Sequence, residues 1–285
     1  MNTFSHSFKI AATIPLQFDT AFSPFLVSEY ESALSWLREN GFDGIEPVVA
    51  RPKEMDGVVL RATLDEYGLQ APTISTGQAF GLDGISLTDE NDDIRNKAVM
   101  TILEHIDLAK QINAPNITIG LIRGKASGMT ENTKPDVCLA RLRESLSECL
   151  PYAISNGVRL MLEPINRYET EMLNSCEDTA KFIQTIPGAG DNLGILYDTF
   201  HSNIEDSNMV HTIRGLGPLI FHVHFADSNR SLPGEGHINF CEIIEALESI
   251  GYTGFISLET LNRPDRKYIK EHAATRIRGE ALSQQ

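Results

Sequence analysis

Four side chains able to ligate a metal stand at the ends of short apolar runs. VRLMLEP carries Glu163, LGILYD ends in Asp198, IFHVHF carries His224 and FISLET carries Glu259. Three carboxylates and an imidazole brought to one mouth as bare groups would be frustrated, because like charges a few ångströms apart cannot all ionise. A divalent cation removes the conflict, and an oxygen-rich set with a single imidazole suits Mn2+, Mg2+ or Co2+ better than the thiolate-seeking metals. Each residue alone has a plainer reading: a strand-end carboxylate is often a helix cap or surface charge, and a strand histidine is often packed in a core. Their placement on four consecutive apolar runs favours the metal centre. His222 shares a face with His224 by the two-residue period of a strand. One of the two is therefore expected to pack deeper, and His224, nearer the strand end, is the predicted ligand.

The segments that follow these runs are rich in hydrogen-bonding groups. EPINRYE supplies Asn166, Arg167 and Glu169, DTFH supplies His201, and DSNR and PGEGHINF come after His224. Such turns around a site suit a polyhydroxylated ligand. Pro233, Gly234 and Gly236 read equally well as a tight turn with no ligand role.

For these residues to meet, their runs must be neighbouring parallel strands. Short apolar segments, many of them rich in β-branched residues, occur at 9–14, 44–48, 71–75, 116–120, 158–163, 193–198, 220–225 and 255–259. Longer amphipathic stretches separate them, at 28–40, 55–67, 91–112, 135–155, 176–186, 208–214, 240–250 and 266–282. That alternation is the pattern of repeated βα units. Several of the longer stretches end in a turn residue just before the next strand, as at Asn40-Gly41, Gly68, Asn156-Gly157 and Gly251. Eight units in series predict an α/β fold, a closed (β/α)8 TIM barrel with its site at the C-terminal ends of the strands. The competing open doubly wound sheet lacks a GxGxxG turn after the first strand.

Composition sets the remaining bounds. The chain has 285 residues, 41% hydrophobic and 22% charged, as expected of one globular domain spanning 1–285. A net charge of -15, with no run of Lys and Arg, argues against nucleic acid as a partner. Cys138, Cys149, Cys176 and Cys241 fall in no CxxC spacing and read as reduced thiols. No long apolar stretch or signal-like start is present, so a cytoplasmic enzyme with no membrane partner is the expectation.

The segments LEPINRYET, YDTFHSNIED, HFADSNRSLPGEGH and SLET resemble those of the xylose-isomerase-like barrel superfamily, and especially its D-tagatose 3-epimerase group of ketose 3-epimerases. The four ligand types also fall in that group's order and spacing. The resemblance implies one divalent metal ion, Mn2+ first with Co2+ or Mg2+ as alternatives, held by Glu163, Asp198, His224 and Glu259. It implies substrate contacts from Glu169, His201 and Arg230, and a homo-oligomer, dimer or tetramer. It further implies that Glu163 and Glu259 double as acid and base: one takes the C3 proton and the other returns one from the far side of a metal-bound enediolate. Pro164 and Ile165 stand where some relatives carry other apolar residues, with little expected consequence. Phe80, Ile14 and Leu16 are candidates for an apolar wall.

A narrower likeness lies in the N-terminal half, where STGQAFGLDGISLTDENDDIR and ITIGLIRGK resemble the bacterial 5-keto-L-gluconate epimerases. It implies a keto-sugar acid substrate, such as 5-keto-L-gluconate converted to D-tagaturonate. Arg123 would then pair with the substrate carboxylate, whose two oxygens match a guanidinium fork. A surface charge is the alternative for Arg123. The same site could serve aldose–ketose or hydroxypyruvate-type isomerisation. A DNA-repair endonuclease on this barrel would need more histidines and a basic face, and a non-catalytic sugar-binding barrel would have no need of both glutamates.

Overall fold

Strands buried on both faces have to be apolar nearly throughout, and the strands of this chain are. The computed structural model describes residues 8–128 and 130–278. Its strands are β1 (Lys9–Pro15), β2 (Gly44–Val48), β3 (Ile74–Ser75), β4 (Asn116–Ile119), β5 (Arg159–Leu162), β6 (Leu193–Asp198), β7 (Ile220–Phe225) and β8 (Phe255–Leu258). Every residue of β2, β4 and β6 is buried. The strands pair in parallel in sequence order and close on themselves, β1 lying against β2 with Ala11 opposite Gly44 and against β8 with Lys9 opposite Phe255. This is the predicted closed (β/α)8 barrel.

The outer helices are α1 (Tyr30–Glu39), α2 (Gly57–Tyr67), α4 (Asp92–Ile112), α5 (Pro135–Ser155), α6 (Cys176–Gln184), α8 (Met209–Leu216), α9 (Phe240–Ser249) and α10 (Arg266–Ile277). Most begin at a short polar side chain that satisfies a free backbone N–H. Asp56, Asn91, Ser175, Asn208, Asn239 and Asp265 each accept from the first turn of their helix. Gly68 at φ 66 and Asn113 at φ 55 end α2 and α4 in the left-handed conformation those residues tolerate. The predicted last helix ends at Ile277, and its final residues, 279–282, lie outside the described residues.

The structure departs from the sequence reading in two places that matter to the site. β3 has shrunk from the predicted 71–75, because Pro72 has no N–H to give a ladder and its carbonyl is taken by the Asn116 side chain at 2.9 Å. Two short helices were not foreseen: α3 (Gly77–Asp83) follows β3, and α7 (Thr199–Glu205) follows β6. Both stand at the C-terminal mouth. Among the described residues no helix is long and apolar enough to cross a membrane.

Candidate active site

The four predicted ligand positions come together at that mouth. One donor atom from each of Glu163, Asp198, His224 and Glu259 lies within 4.8 Å of the others. At the centre is Nδ1 of His224, which is 3.9 Å from Glu163, 3.7 Å from Asp198 and 3.4 Å from Glu259. None of the three gaps is closed by a hydrogen bond, and Nδ1 is buried with no hydrogen-bond partner. Ligands about 2.1 Å from a common ion lie roughly 3 to 4 Å apart. The spacing therefore fits one divalent cation, and so do the electrostatics. Burial, and then the charge of Glu259, hold the Glu163 carboxyl above its ordinary range. Burial works the other way on His224, but Glu46 and Glu259 overcome it and raise its pKa. Both shifts mark a place that wants positive charge.

Local structure aims each donor. Asp198 spends Oδ1 on the start of α7, accepting from the N–H of Phe200 at 2.7 Å and of His201 at 3.3 Å, which leaves Oδ2 for the site. Gly120, just past β4, makes room for Glu163: a Cβ there would stand 2.7 Å from Glu163 Oε2. Thr199 donates to the carbonyl of Ala226 at 2.7 Å and tethers the loop that follows β7.

His201 rises from α7 beside Glu163, with Nε2 3.7 Å from that carboxylate. Its Nδ1 faces only donors, the Asn166 amide at 2.8 Å and the Asn166 backbone N–H at 3.3 Å, so Nδ1 accepts and Nε2 carries the hydrogen. Burial drives its pKa down to about 3, which keeps the ring neutral. Glu169 holds the same Asn166 amide at 2.8 Å and so reaches His201 through it. Arg230 donates to Asp198 at 2.9 Å and to Glu259, with its guanidinium 5.1 Å from the ring of Phe22 and 4.7 Å from that of Phe200.

These groups border a cavity of about 200 Å³. Glu163, Glu169, His201, Arg230 and Glu259 face it on one side, and Thr13, Thr20, Ser75, Gln78 and Leu121 on the other. The predicted apolar wall is placed differently: Ile14 is fully buried in the core, and Phe80 and Leu16 are not among the lining residues.

Arg123 requires a correction. It is 0% exposed and so no surface charge, and it does not line the cavity. Its fork is spent on backbone carbonyls, those of Glu163 and Leu173. Burial lowers its pKa to about 10, still high enough to remain a cation. The residue that sequence reasoning missed is Glu46 of β2, whose carboxylate lies 2.9 Å from His224 Nε2. A lone charge inside the apolar run GIEPV was the available signal.

Residues 34–278 match the model of the xylose isomerase-like TIM barrel family. The chain belongs to that family. Among members it resembles, a D-psicose 3-epimerase of Enterocloster bolteae is 38% identical over 81% of this chain and 77% of its own length. An L-ribulose 3-epimerase of Mesorhizobium japonicum is 30% identical over 82% of this chain and 76% of its own. The same barrel recurs in the crystal structure of the D-psicose 3-epimerase of Clostridium cellulolyticum with D-tagatose. That structure superposes with a TM-score of 0.82 over 96% of this chain and 99% of its own, at 22% identity.

Proposed function

We propose that this protein is an isomerase, a divalent-metal-dependent 3-epimerase of ketoses. The observation that carries the reading is the unpartnered Nδ1 of His224 among three carboxylates, two of which, Glu163 and Glu259, face one sugar-sized cavity. The epimerase relatives support the same reading. Glu163, Asp198, His224 and Glu259 would hold the ion, with Mn2+ the first choice for such an oxygen-rich set. When bound, it supplies Lewis-acid stabilisation of negative charge developing on the substrate's oxygens.

The chain's own residues do the rest. A hydrogen on the carbon next to a carbonyl is too weakly acidic for a carboxylate in water to remove quickly. Here Glu163 or Glu259 takes the C3 proton as general base, and the other returns one to the opposite face of the planar enediolate. Inversion at C3 follows. His201 offers its Nε2–H to a substrate oxygen, held in orientation by Asn166 and Glu169. Arg230 neutralises Asp198 and Glu259 and offers its remaining N–H groups to the substrate's oxygens.

A neutral ketose fits this cavity better than the keto-sugar acid suggested by the N-terminal half. Among the described residues Arg230 is the one cationic side chain on the lining, and two carboxylates already engage it. The buried and half-buried thiols, all unpaired, suit a reducing cytoplasm, and a homo-oligomer is the expected assembly.

The deciding experiment incubates the Mn2+-loaded protein with ketoses, ketose phosphates and keto-sugar acids in D2O and reads the products by NMR. A C3 epimer carrying deuterium at C3 is expected from a neutral ketose. Conversion without deuterium at C3 would exclude proton transfer at that carbon, and an aldose product would make the enzyme an aldose–ketose isomerase.

A further inference from the structure

Glu46 lies inside the barrel, 0% exposed, and reaches across from β2 to β7. Its Oε2 is 2.9 Å from His224 Nε2 and 3.1 Å from His222 Nε2, and its Oε1 is 3.1 Å from His224 Nε2. An ionised carboxylate only accepts, so each Nε2 must carry a hydrogen. Ser257 Oγ stands 2.9 Å from His222 Nε2, a further neighbour at that ring's edge. A bare carboxylate this deep would be costly, and the two imidazole donors are what make its burial tolerable.

The consequence falls on the other side of the His224 ring. With hydrogen fixed at Nε2, the neutral ring has its lone pair at Nδ1, the atom that faces Glu163, Asp198 and Glu259. We propose that Glu46 is a positioning residue for the metal centre: it fixes the His224 tautomer and ring orientation and, as an anion on Nε2–H, makes Nδ1 a stronger ligand. This rests on the metal-dependent reading of the site. A histidine ligand held by a carboxylate through its second nitrogen is a general device, and loss of such a partner typically costs 10- to 100-fold in metal affinity.

Glutamine at position 46 has nearly the shape of glutamate but no charge, so although its one oxygen can still accept from both histidines, it no longer acts on Nε2–H as an anion, and its NH2, a donor, replaces the oxygen that lies 3.1 Å from His224 Nε2. In E46Q, with the circular dichroism spectrum retained, Co2+ affinity measured by calorimetry is expected to fall about 10- to 100-fold. The visible spectrum of bound Co2+ is expected to change as its nitrogen ligand weakens, and E46D, which keeps the charge, to recover part of the affinity. Unchanged Co2+ affinity and spectrum in folded E46Q would overturn the proposal. A second reading needs no substitution: in the Mg2+-loaded protein, 15N NMR of the histidine rings should show hydrogen at His224 Nε2 and none at Nδ1. Hydrogen at Nδ1 would overturn the assignment even if E46Q did not fold. If the unaltered protein bound no divalent ion at all, the metal reading itself would fail, and this inference with it.

Discussion

The two halves of the barrel mouth contribute different things. Glu163 just past β5, Asp198 at the end of β6, His224 on β7, Arg230 in the loop after β7 and Glu259 just past β8 carry nearly all the charge around the cavity. The half built on β1 to β4 offers Thr13, Val48, Ser75, Gln78 and Leu121, groups that can fit or hydrogen-bond a sugar but carry no charge. Charged and neutral lining groups thus come from separate stretches of sequence. The two buried arginines show the same division: Arg230 faces the cavity between Phe22 and Phe200, whereas Arg123, after β4, is turned away to backbone carbonyls. Only Arg230 of the two lines the cavity.

The sharpest way to break this contrast is to neutralise a proposed proton carrier in the charged half. In Glu259→Gln, turnover is expected to fall about a thousandfold, within the range for loss of a general acid or base, while calorimetry still shows metal binding. Near-normal turnover with metal bound would defeat the two-base account. The next effect should appear in stability instead of chemistry. Arg123→Met leaves the buried Glu163 carbonyl without its side-chain donor and the Leu173 carbonyl with Thr179 alone, at a cost of about 1 to 3 kcal/mol for the unsatisfied group. The expected result is a lower urea midpoint with KM for a neutral ketose little changed; a KM raised only for carboxylate-bearing substrates would show that Arg123 reads charge after all. The smallest effect belongs to the neutral half. Ser75→Ala is expected to raise KM by roughly threefold to tenfold at constant kcat, the size of one neutral hydrogen bond. A fall in kcat there would mean that the two halves are not separable.

The barrel and its four donors were legible because both write themselves into short stretches. Eight short apolar runs, several of them preceded by a turn residue, needed no knowledge of partners to be recognised. A donor at the C-terminal end of such a run stands at the mouth. Glu46 was hidden for the opposite reason: it stands mid-strand, where alternation gives a charge to solvent, and its partner His224 is 178 residues away. Arg123 misled because a strand-end arginine reads the same whether its fork turns to the cavity or to backbone. The helices α3 and α7, seven residues each, are too short to display an amphipathic period, so the element carrying His201 was found only in the fold.

Gly120 limits how this enzyme can diverge. A methyl group there would stand 2.7 Å from Glu163 Oε2, so that side of the pocket cannot be rebuilt without displacing the Glu163 carboxylate. A lineage adapting to a larger or smaller sugar, or a laboratory selection with the same aim, is left with positions such as Ser75, Gln78 and Leu121 as the adjustable ones. Substitutions that broaden the substrate range should therefore accumulate in the first half of the chain.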